Sequence, residues 1–268
     1  MTRADAPQPE PDGHDQAASP LAHHFHSRAQ QYDSARLGMW IFLVTEILFF
    51  GGLFCAYAVY RANRPEAFAL GHYFLDVPLG ALNTLVLITS SLTMAWAVRS
   101  AQLGQSRALA GLLAATILLG LVFLGIKSFE YKHKWDHQFV PGQERIEYWL
   151  PGKPAGKAPS SVPSKEFRPD RDYIKEHLEQ AGYKHLDTKT LDRYVDKLRT
   201  FMSIYFSLTA LHALHVLIGI GVLTWLFLGT LRGCFGRHRF TPVDMVGLYW
   251  HLVDLIWIYL FPLLYLIP

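Results

Sequence analysis

Five apolar stretches, each about 20 or more residues long, constrain this chain more than any other feature of its sequence. A helix rises about 1.5 Å per residue, so each stretch can cross the roughly 30 Å hydrocarbon core of a bilayer. A helix also satisfies its own backbone hydrogen bonds there, where no water is present. The sequence therefore predicts an all-α membrane bundle with five spans, at residues 37–60, 77–98, 109–129, 201–231 and 243–267.

The polar segments between these spans divide the chain further. We expect residues 1–35 to form a polar, partly disordered tail, residues 36–134 to hold spans one to three, and residues 201–268 to hold spans four and five. Between them lies an insert at residues 135–200, which is too long for a simple turn. We expect a Pro- and Gly-rich linker in the insert, followed by two short helices at residues 171–182 and 188–199.

Two helix starts are predicted from local signals. Asp33 and Ser34 can accept the unpaired amides of a first turn, so we expect the first helix to begin there. The fifth helix is expected to begin at Thr241 and Pro242, because a proline in the first turn has no amide to lose.

Orientation follows from basic residues near the span ends, which are retained on the cytoplasmic side. Such residues occur in the two short loops on the N-terminal side, and fewer occur in the first external loop. These are Arg99, Arg107, Arg232, Arg237 and Arg239 on one side and Arg61 and Arg64 on the other. The pattern favours an inner-membrane protein with a cytoplasmic N-terminus, a periplasmic C-terminus and a periplasmic insert.

The net charge of +3 does not indicate a nucleic-acid partner, because the basic residues are not clustered on one segment. The two cysteines, Cys55 and Cys234, provide neither a disulfide framework nor the spacing of metal ligands.

Five histidine or carboxylate side chains lie well away from the ends of the predicted spans, and a charge costs at least about 2.5–3.5 kcal/mol at the bilayer centre. They are Glu46, His212, His215, His251 and Asp254. We expect all five to face the bundle interior, because contact with lipid would leave them unsatisfied, and we expect an interhelical polar network of His212, His215, His251 and Asp254. A metal site is the alternative, since imidazoles and carboxylates three residues apart share a helix face.

Glu46 is expected to be mostly protonated in apolar surroundings, because desolvation disfavours a carboxylate. It could then exchange protons or donate a hydrogen bond between helices. Glu130 lies three residues after Lys127 and four before Lys134, so we expect an interfacial ion pair between Lys127 and Glu130.

Four basic residues at the inner headgroup level are candidates for binding lipid phosphates, with an orientation signal alone as the alternative. They are Arg36, Arg232, Arg237 and His238.

Five motifs in order resemble one family. They are RLGMWIFLVTEILFF at 36–50, ALNTLVL at 81–87, SFEY at 128–131, YFSLTALHALHVLIG at 205–219 and YWHLVDLIWIY at 249–259. Together they resemble subunit III of the haem-copper oxidases, of the five-span bacterial type, from about residue 25 to the end apart from the insert.

This resemblance implies an accessory subunit bound to catalytic subunit I, next to subunit II, that stabilises the complex, holds phospholipid and sustains proton uptake. It implies no catalytic residue, haem or copper in this chain. Glu46 matches the membrane carboxylate that reacts with carbodiimides in the family. The insert would lie where cytochrome c delivers electrons, so we expect it to contact subunit II or a cytochrome c.

Three alternatives stay open. The electron donor could be a quinol, because quinol oxidases have a similar five-span subunit. A related protein accompanies nitric oxide reductases, generally with little external insert. A transporter or channel could use Glu46, His212, His215 and Asp254 as a path, although the chain lacks an evident inverted repeat or broken spans.

Overall fold

The computed structural model describes residues 25–140, 169–180, 188–235 and 239–267. Its helices are α1 Arg28–Asn63, α2 Pro65–His72, α3 Val77–Gln102, α4 Ser106–Asp136, α5 Arg171–Gln180, α6 Thr188–Leu231 and α7 Thr241–Phe261, followed by a π-helical turn at Pro262–Leu266. Five of them, α1, α3, α4, α6 and α7, are long and apolar enough to cross a membrane. The described residues contain no strand, so the predicted all-α class with five spans is confirmed.

The start of α1 differs from the prediction. The helix begins at Arg28, and the Ser27 side chain accepts a hydrogen bond from the Gln30 amide at 3.2 Å. The Gln30 side chain in turn accepts from the His26 amide at 2.9 Å. These reciprocal bonds resemble a capping box, so the helix starts before Asp33 and Ser34, and that expectation was wrong. The predicted start of the last span is confirmed, because α7 begins at Thr241 with a proline in its first turn.

Helix α7 is the most buried of the five spans. Half of its most apolar stretch, 50%, is buried, against 11% for α1. Two tryptophans on α7 anchor it to α3: Trp250 donates to Ser90 Oγ at 3.0 Å, and Trp257 donates to Thr84 Oγ1 at 3.1 Å. Bonds of this kind hold membrane helices together where lipid offers no hydrophobic driving force.

Helix α1 lies at the edge of the bundle and is attached near both ends. The Tyr32 hydroxyl donates to the Asp244 carboxylate at 2.7 Å near one end. Near the other end, the Tyr57 hydroxyl donates to the Leu263 carbonyl at 2.6 Å, and Arg61 donates to the Ile267 carbonyl at 3.1 Å. Most of the large apolar side chains in the first half of α1 remain exposed.

The part of the insert that the structure describes contains one separate helix instead of two. Residues 188–199, expected to form a second short helix, are the first turns of the 44-residue α6. Their apolar stripe, which includes Leu191 and Leu198, runs on into Phe201 with no intervening Pro or Gly. The linker expected at residues 141–168 lies outside the described residues.

Helix α5 packs on the end of α4. Ile174 and Leu178 are fully buried, and the Tyr173 ring lies 4.0 Å from each of the His137 and His177 rings. Asp170 caps the helix by accepting from the Tyr173 and Asp172 amides. Because these amides stabilise the carboxylate, they lower the pKa of Asp170.

Close packing between α6 and α7 gives a test of this arrangement. A Cβ added to Gly219 would lie 2.8 Å from Trp250 Cζ3, and the Trp250 ring is held by Ser90. We expect Gly219→Ala to lower the free energy of unfolding by about 1–3 kcal/mol through overpacking. Gly221→Ala is the matched control, because nothing lies within 4 Å of its added Cβ. Equal melting midpoints for the two variants in detergent would contradict the packing described here.

Candidate functional site

Glu46 of α1 meets His215 of α6 across the helix interface. His215 Nε2 lies 2.9 Å from Glu46 Oε2, and the two side chains are 17% and 19% exposed. The His215 ring also packs on Phe50, with ring centroids 5.1 Å apart. On the other side, the Tyr249 hydroxyl donates to the His215 backbone carbonyl at 3.0 Å, so α7 supports the same point of α6.

The hydrogen bond to the Leu211 carbonyl fixes one proton of His215 on Nδ1. Nδ1 lies 2.7 Å from the Leu211 carbonyl, and a carbonyl can only accept, so Nδ1 carries a proton. The contact between Nε2 and Glu46 then holds one more proton, shared by the two groups. Either a protonated Glu46 donates to a neutral imidazole, or an imidazolium donates to a carboxylate. The pair is neutral overall in both cases, which suits a position inside a membrane span.

A cavity of about 380 Å³ opens beside this pair. Apart from Glu46, His215 and Tyr249, its lining is apolar, with side chains from α1, α6 and α7. They include Met39, Phe42, Ile218 and Val222. An apolar reagent can therefore approach the Glu46 carboxyl group from the lipid side.

The other three ionisable groups do not join Glu46 and His215. His251 Nδ1 lies 2.6 Å from Ser91 Oγ of α3. His212 is buried between Phe123 and Trp257, with ring centroids 5.7 and 5.3 Å away. Among the described residues, neither ring nitrogen of His212 and neither carboxylate oxygen of Asp254 has a hydrogen bond of good geometry. The four predicted network residues are thus distributed over separate contacts.

A second carboxylate, Glu130, sits at the centre of a buried charged cluster formed with Lys127 and Lys134. Lys127 Nζ lies 2.7 Å from Glu130 Oε2, and Lys134 Nζ lies 2.8 Å from Glu130 Oε1. The Tyr205 and Tyr265 hydroxyls also donate to Oε1, at 2.7 and 2.8 Å. Glu130 therefore accepts four hydrogen bonds, and it connects α4 to α6 and to the π-helical turn.

The Lys127–Glu130 ion pair that the spacing suggested is present, and it is buried within the bundle. The side chains of Lys127, Glu130 and Lys134 are only 4%, 4% and 6% exposed. Sequence reasoning missed the two tyrosines, and their positions in the YFSLTALH run and in the last few residues give no signal of such a partner. Lys127 Nζ also lies 4.5 Å from the Trp257 ring, a cation–π contact that further compensates for its burial.

The predicted lipid-binding residues are only partly within the described ranges. Arg36 and Arg232 are exposed, at the end of the bundle where α1 begins and α6 ends. Arg237 and His238 lie outside the described residues. Within residues 25–140, 169–180, 188–235 and 239–267, no group of three or more His, Cys, Asp or Glu side chains could hold a metal ion.

A known protein family matches the sequence of both halves of the bundle. The model of the family "Cytochrome c oxidase subunit III" matches residues 17–136 and 196–267, which leaves out most of the insert. All the candidate residues inside the spans fall in these matched ranges.

Individual relatives have low sequence identity to this chain, but they align with most of its length. "Cytochrome c oxidase subunit 3" of Corynebacterium diphtheriae is 28% identical, covering 86% of this chain and 87% of the relative. "Heme-copper oxidase subunit I+III" of Aeropyrum pernix is also 28% identical, covering 88% of this chain but 23% of that longer protein. "Cytochrome bo(3) ubiquinol oxidase subunit 3" of Pseudomonas putida is 24% identical, covering 86% and 84%. With the family model matching most of the chain, this protein belongs to the cytochrome c oxidase subunit III family.

Proposed function

We propose that this chain is the accessory subunit III of a bacterial aerobic respiratory haem-copper oxidase. It stabilises the catalytic subunit, binds phospholipid and supports proton uptake while oxygen is reduced to water. The observation that carries this proposal is the family match over both halves of a five-span bundle. The exposed apolar face of α1, the least buried span, supports it further, because such a face needs lipid or a partner helix.

Haem and copper belong, in this proposal, to the partner subunits. The three histidines of α6 and α7 are engaged as hydrogen-bonding or ring-packing groups: His215 with Glu46, His251 with Ser91, and His212 with Phe123 and Trp257. None of these sets brings together the three ligands that a bound metal usually has. The chain then contributes to the enzyme complex as a non-catalytic subunit.

Subunit I is the partner best supported, because the relative from Aeropyrum pernix is named as a joined subunit I+III. Subunit II and a cytochrome c are the proposed partners of the insert, on the periplasmic side. The N-terminus would be cytoplasmic and the complex would reside in the inner membrane, as the arginine distribution favours. Arg36, Arg232, Arg237 and His238 would bind lipid phosphates on the cytoplasmic side.

The electron donor is proposed to be cytochrome c, with quinol as the second candidate. Relatives of similar length are named for each of the two donors, with 28% and 24% identity.

Purification of the affinity-tagged chain in mild detergent tests this function. We expect haem bands in the reduced-minus-oxidised spectrum and cyanide-sensitive oxygen uptake, with reduced cytochrome c as donor and weaker uptake with quinol. Membranes containing the untagged chain provide the control for nonspecific haem retention. A haem-free chain that elutes without large subunits would overturn the assignment. Oxygen uptake with quinol alone would show that the donor is quinol and not cytochrome c.

The surroundings of Glu46 and Glu130 differ enough to predict which of the two carboxyl groups a carbodiimide will label. Dicyclohexylcarbodiimide is apolar and reacts with a protonated carboxyl group, whose oxygen adds to the central carbodiimide carbon while the proton passes to a carbodiimide nitrogen. We expect it to label Glu46, which shares a proton with His215 beside an apolar cavity. Glu130 should stay unlabelled, because it is 4% exposed and bonded to two lysines. Peptide mass spectrometry of the labelled complex measures this, with Glu46→Gln as the control. Label that persists in Glu46→Gln, or label on Glu130, would contradict the proposed difference.

A further inference from the structure

The outer side of the α3–α7 pair carries a polar contact in the middle of the membrane. The Ser91 hydroxyl of α3 lies 2.6 Å from Nδ1 of His251 on α7, and both side chains are partly exposed. Helix α7 begins at Thr241, so His251 lies about 15 Å along it, near half the thickness of the hydrocarbon core. A polar group at this depth depends on protein for its hydrogen bonds, because lipid chains offer none.

The contact with Ser91 determines which nitrogen of His251 carries the proton. A serine hydroxyl has one hydrogen, and among the described residues the only hydrogen bond of Ser91 is the one to His251. Asp254 approaches Ser91 from the next turn of α7, but neither of its carboxylate oxygens has a hydrogen bond of good geometry. The Ser91 hydroxyl therefore donates to Nδ1, and a neutral imidazole then carries its proton on Nε2.

This Nε2 proton has no acceptor in the part of the chain that the structure describes. Nε2 of His251 makes no hydrogen bond there, and it is not one of the fully buried polar atoms. It is therefore open to the outside of the bundle. An N–H group without an acceptor is unfavourable in hydrocarbon, so an acceptor from outside this chain would stabilise His251.

The α3–α7 side of the bundle is open in the arrangement of the spans. Helix α3 contacts α4 and α7, and α6 contacts the same two helices, so these four spans form a ring. The fifth span, α1, packs on α6 and α7, next to the α3–α7 side. The exposed side chains around the Ser91–His251 contact are apolar, and they include Ile88, Leu92 and Leu255.

A face of this composition selects its occupant. Lipid chains can cover Leu92 and Leu255, but they offer no acceptor to His251. A lipid phosphate lies at the headgroup level, about 15 Å away. A transmembrane helix can cover the apolar side chains and also place a hydroxyl, amide or carboxyl oxygen at the right depth.

We propose that the α3–α7 face binds a transmembrane helix of a partner subunit, which accepts a hydrogen bond from His251 Nε2 through a side-chain oxygen. The apolar contacts come from Leu92 on α3 and Leu255 on α7. Taking subunit I as the source of this helix rests on the function proposed above. The choice of face and of the donor atom rests on the contacts of Ser91 and His251.

Site-specific photocrosslinking in native membranes tests the face. Benzoylphenylalanine replaces Leu92 or Leu255 in the tagged chain, the membranes are irradiated before solubilisation, and crosslinked peptides are identified by mass spectrometry. We expect both positions to capture one transmembrane span of subunit I.

Leu118 on α4 and Leu217 on α6 are the matched control positions. They are 62% and 56% exposed, against 53% for Leu92 and 60% for Leu255, and their helices form the opposite side of the ring. We expect these controls to capture that span several-fold less.

Two substitutions test the hydrogen bond. His251→Leu removes the Nε2 donor, so subunit I should dissociate from the immobilised chain about three- to tenfold faster in detergent, as one hydrogen bond between membrane helices predicts. Ser91→Ala is the matched control, because it removes the same bond within the chain but leaves Nε2 able to donate. It should leave the dissociation rate unchanged.

The outcomes separate this proposal from the proposed function. If haem and subunit I copurify but Leu92 and Leu255 capture only lipid, or a second copy of this chain, the face is wrong and the function stands. Dissociation of His251→Leu no faster than that of Ser91→Ala would reject the hydrogen bond.

A chain that purifies without haem or large subunits would reject the proposed function. The face would then be supported only if both positions capture one span of another protein and His251→Leu lowers that capture relative to Ser91→Ala. Any other pattern of capture would overturn it.

Discussion

The carboxylate of Glu130 is the interaction on which the rest of the bundle depends. Two lysines that are almost completely buried lie against it, and moving an unpaired charge out of water costs several kcal/mol. Its two oxygens bind Lys127 and Lys134 from its own helix and accept from Tyr205 on α6 and Tyr265 beyond α7. Helices in lipid have no hydrophobic reason to associate, so directional bonds of this kind set how α4, α6 and α7 sit together.

Glu46 has the opposite surroundings, which suits a different role. It lies on α1, the least buried span, and it has one described side-chain partner, His215. Glu130 is held as a carboxylate by four donors, whereas the Glu46–His215 pair shares one proton and lies beside an apolar cavity. One carboxyl group therefore fixes the bundle, and the other lies beside an apolar cavity on the least buried span.

The sequence predicts the parts of this arrangement that depend on local spacing. Apolar run length gives the five spans, and spacings of three and four residues bring Lys127, Glu130 and Lys134 together on one helix. It does not predict the tyrosine partners, because Tyr205 and Tyr265 lie 75 and 135 residues from Glu130 in the chain. Positions inside the spans suggested that His212, His215, His251 and Asp254 form one network, but position along a helix does not determine the direction in which its face points. The continuous α6 likewise depends on apolar contacts that continue across the expected boundary.

Thermal unfolding of Glu130→Gln in detergent tests the central role of this carboxylate most directly. The substitution leaves two buried lysines without their counter-charge, so it should lower the free energy of unfolding by roughly 3–5 kcal/mol. The same change at Glu66, which pairs with Lys197 at an exposed position, is the matched control and should leave the midpoint unchanged. Replacing Lys127, Glu130 and Lys134 together by Met, Leu and Met should recover much of the loss, since no unpaired charge then remains buried. Equal midpoints for Glu130→Gln and Glu66→Gln would contradict this account.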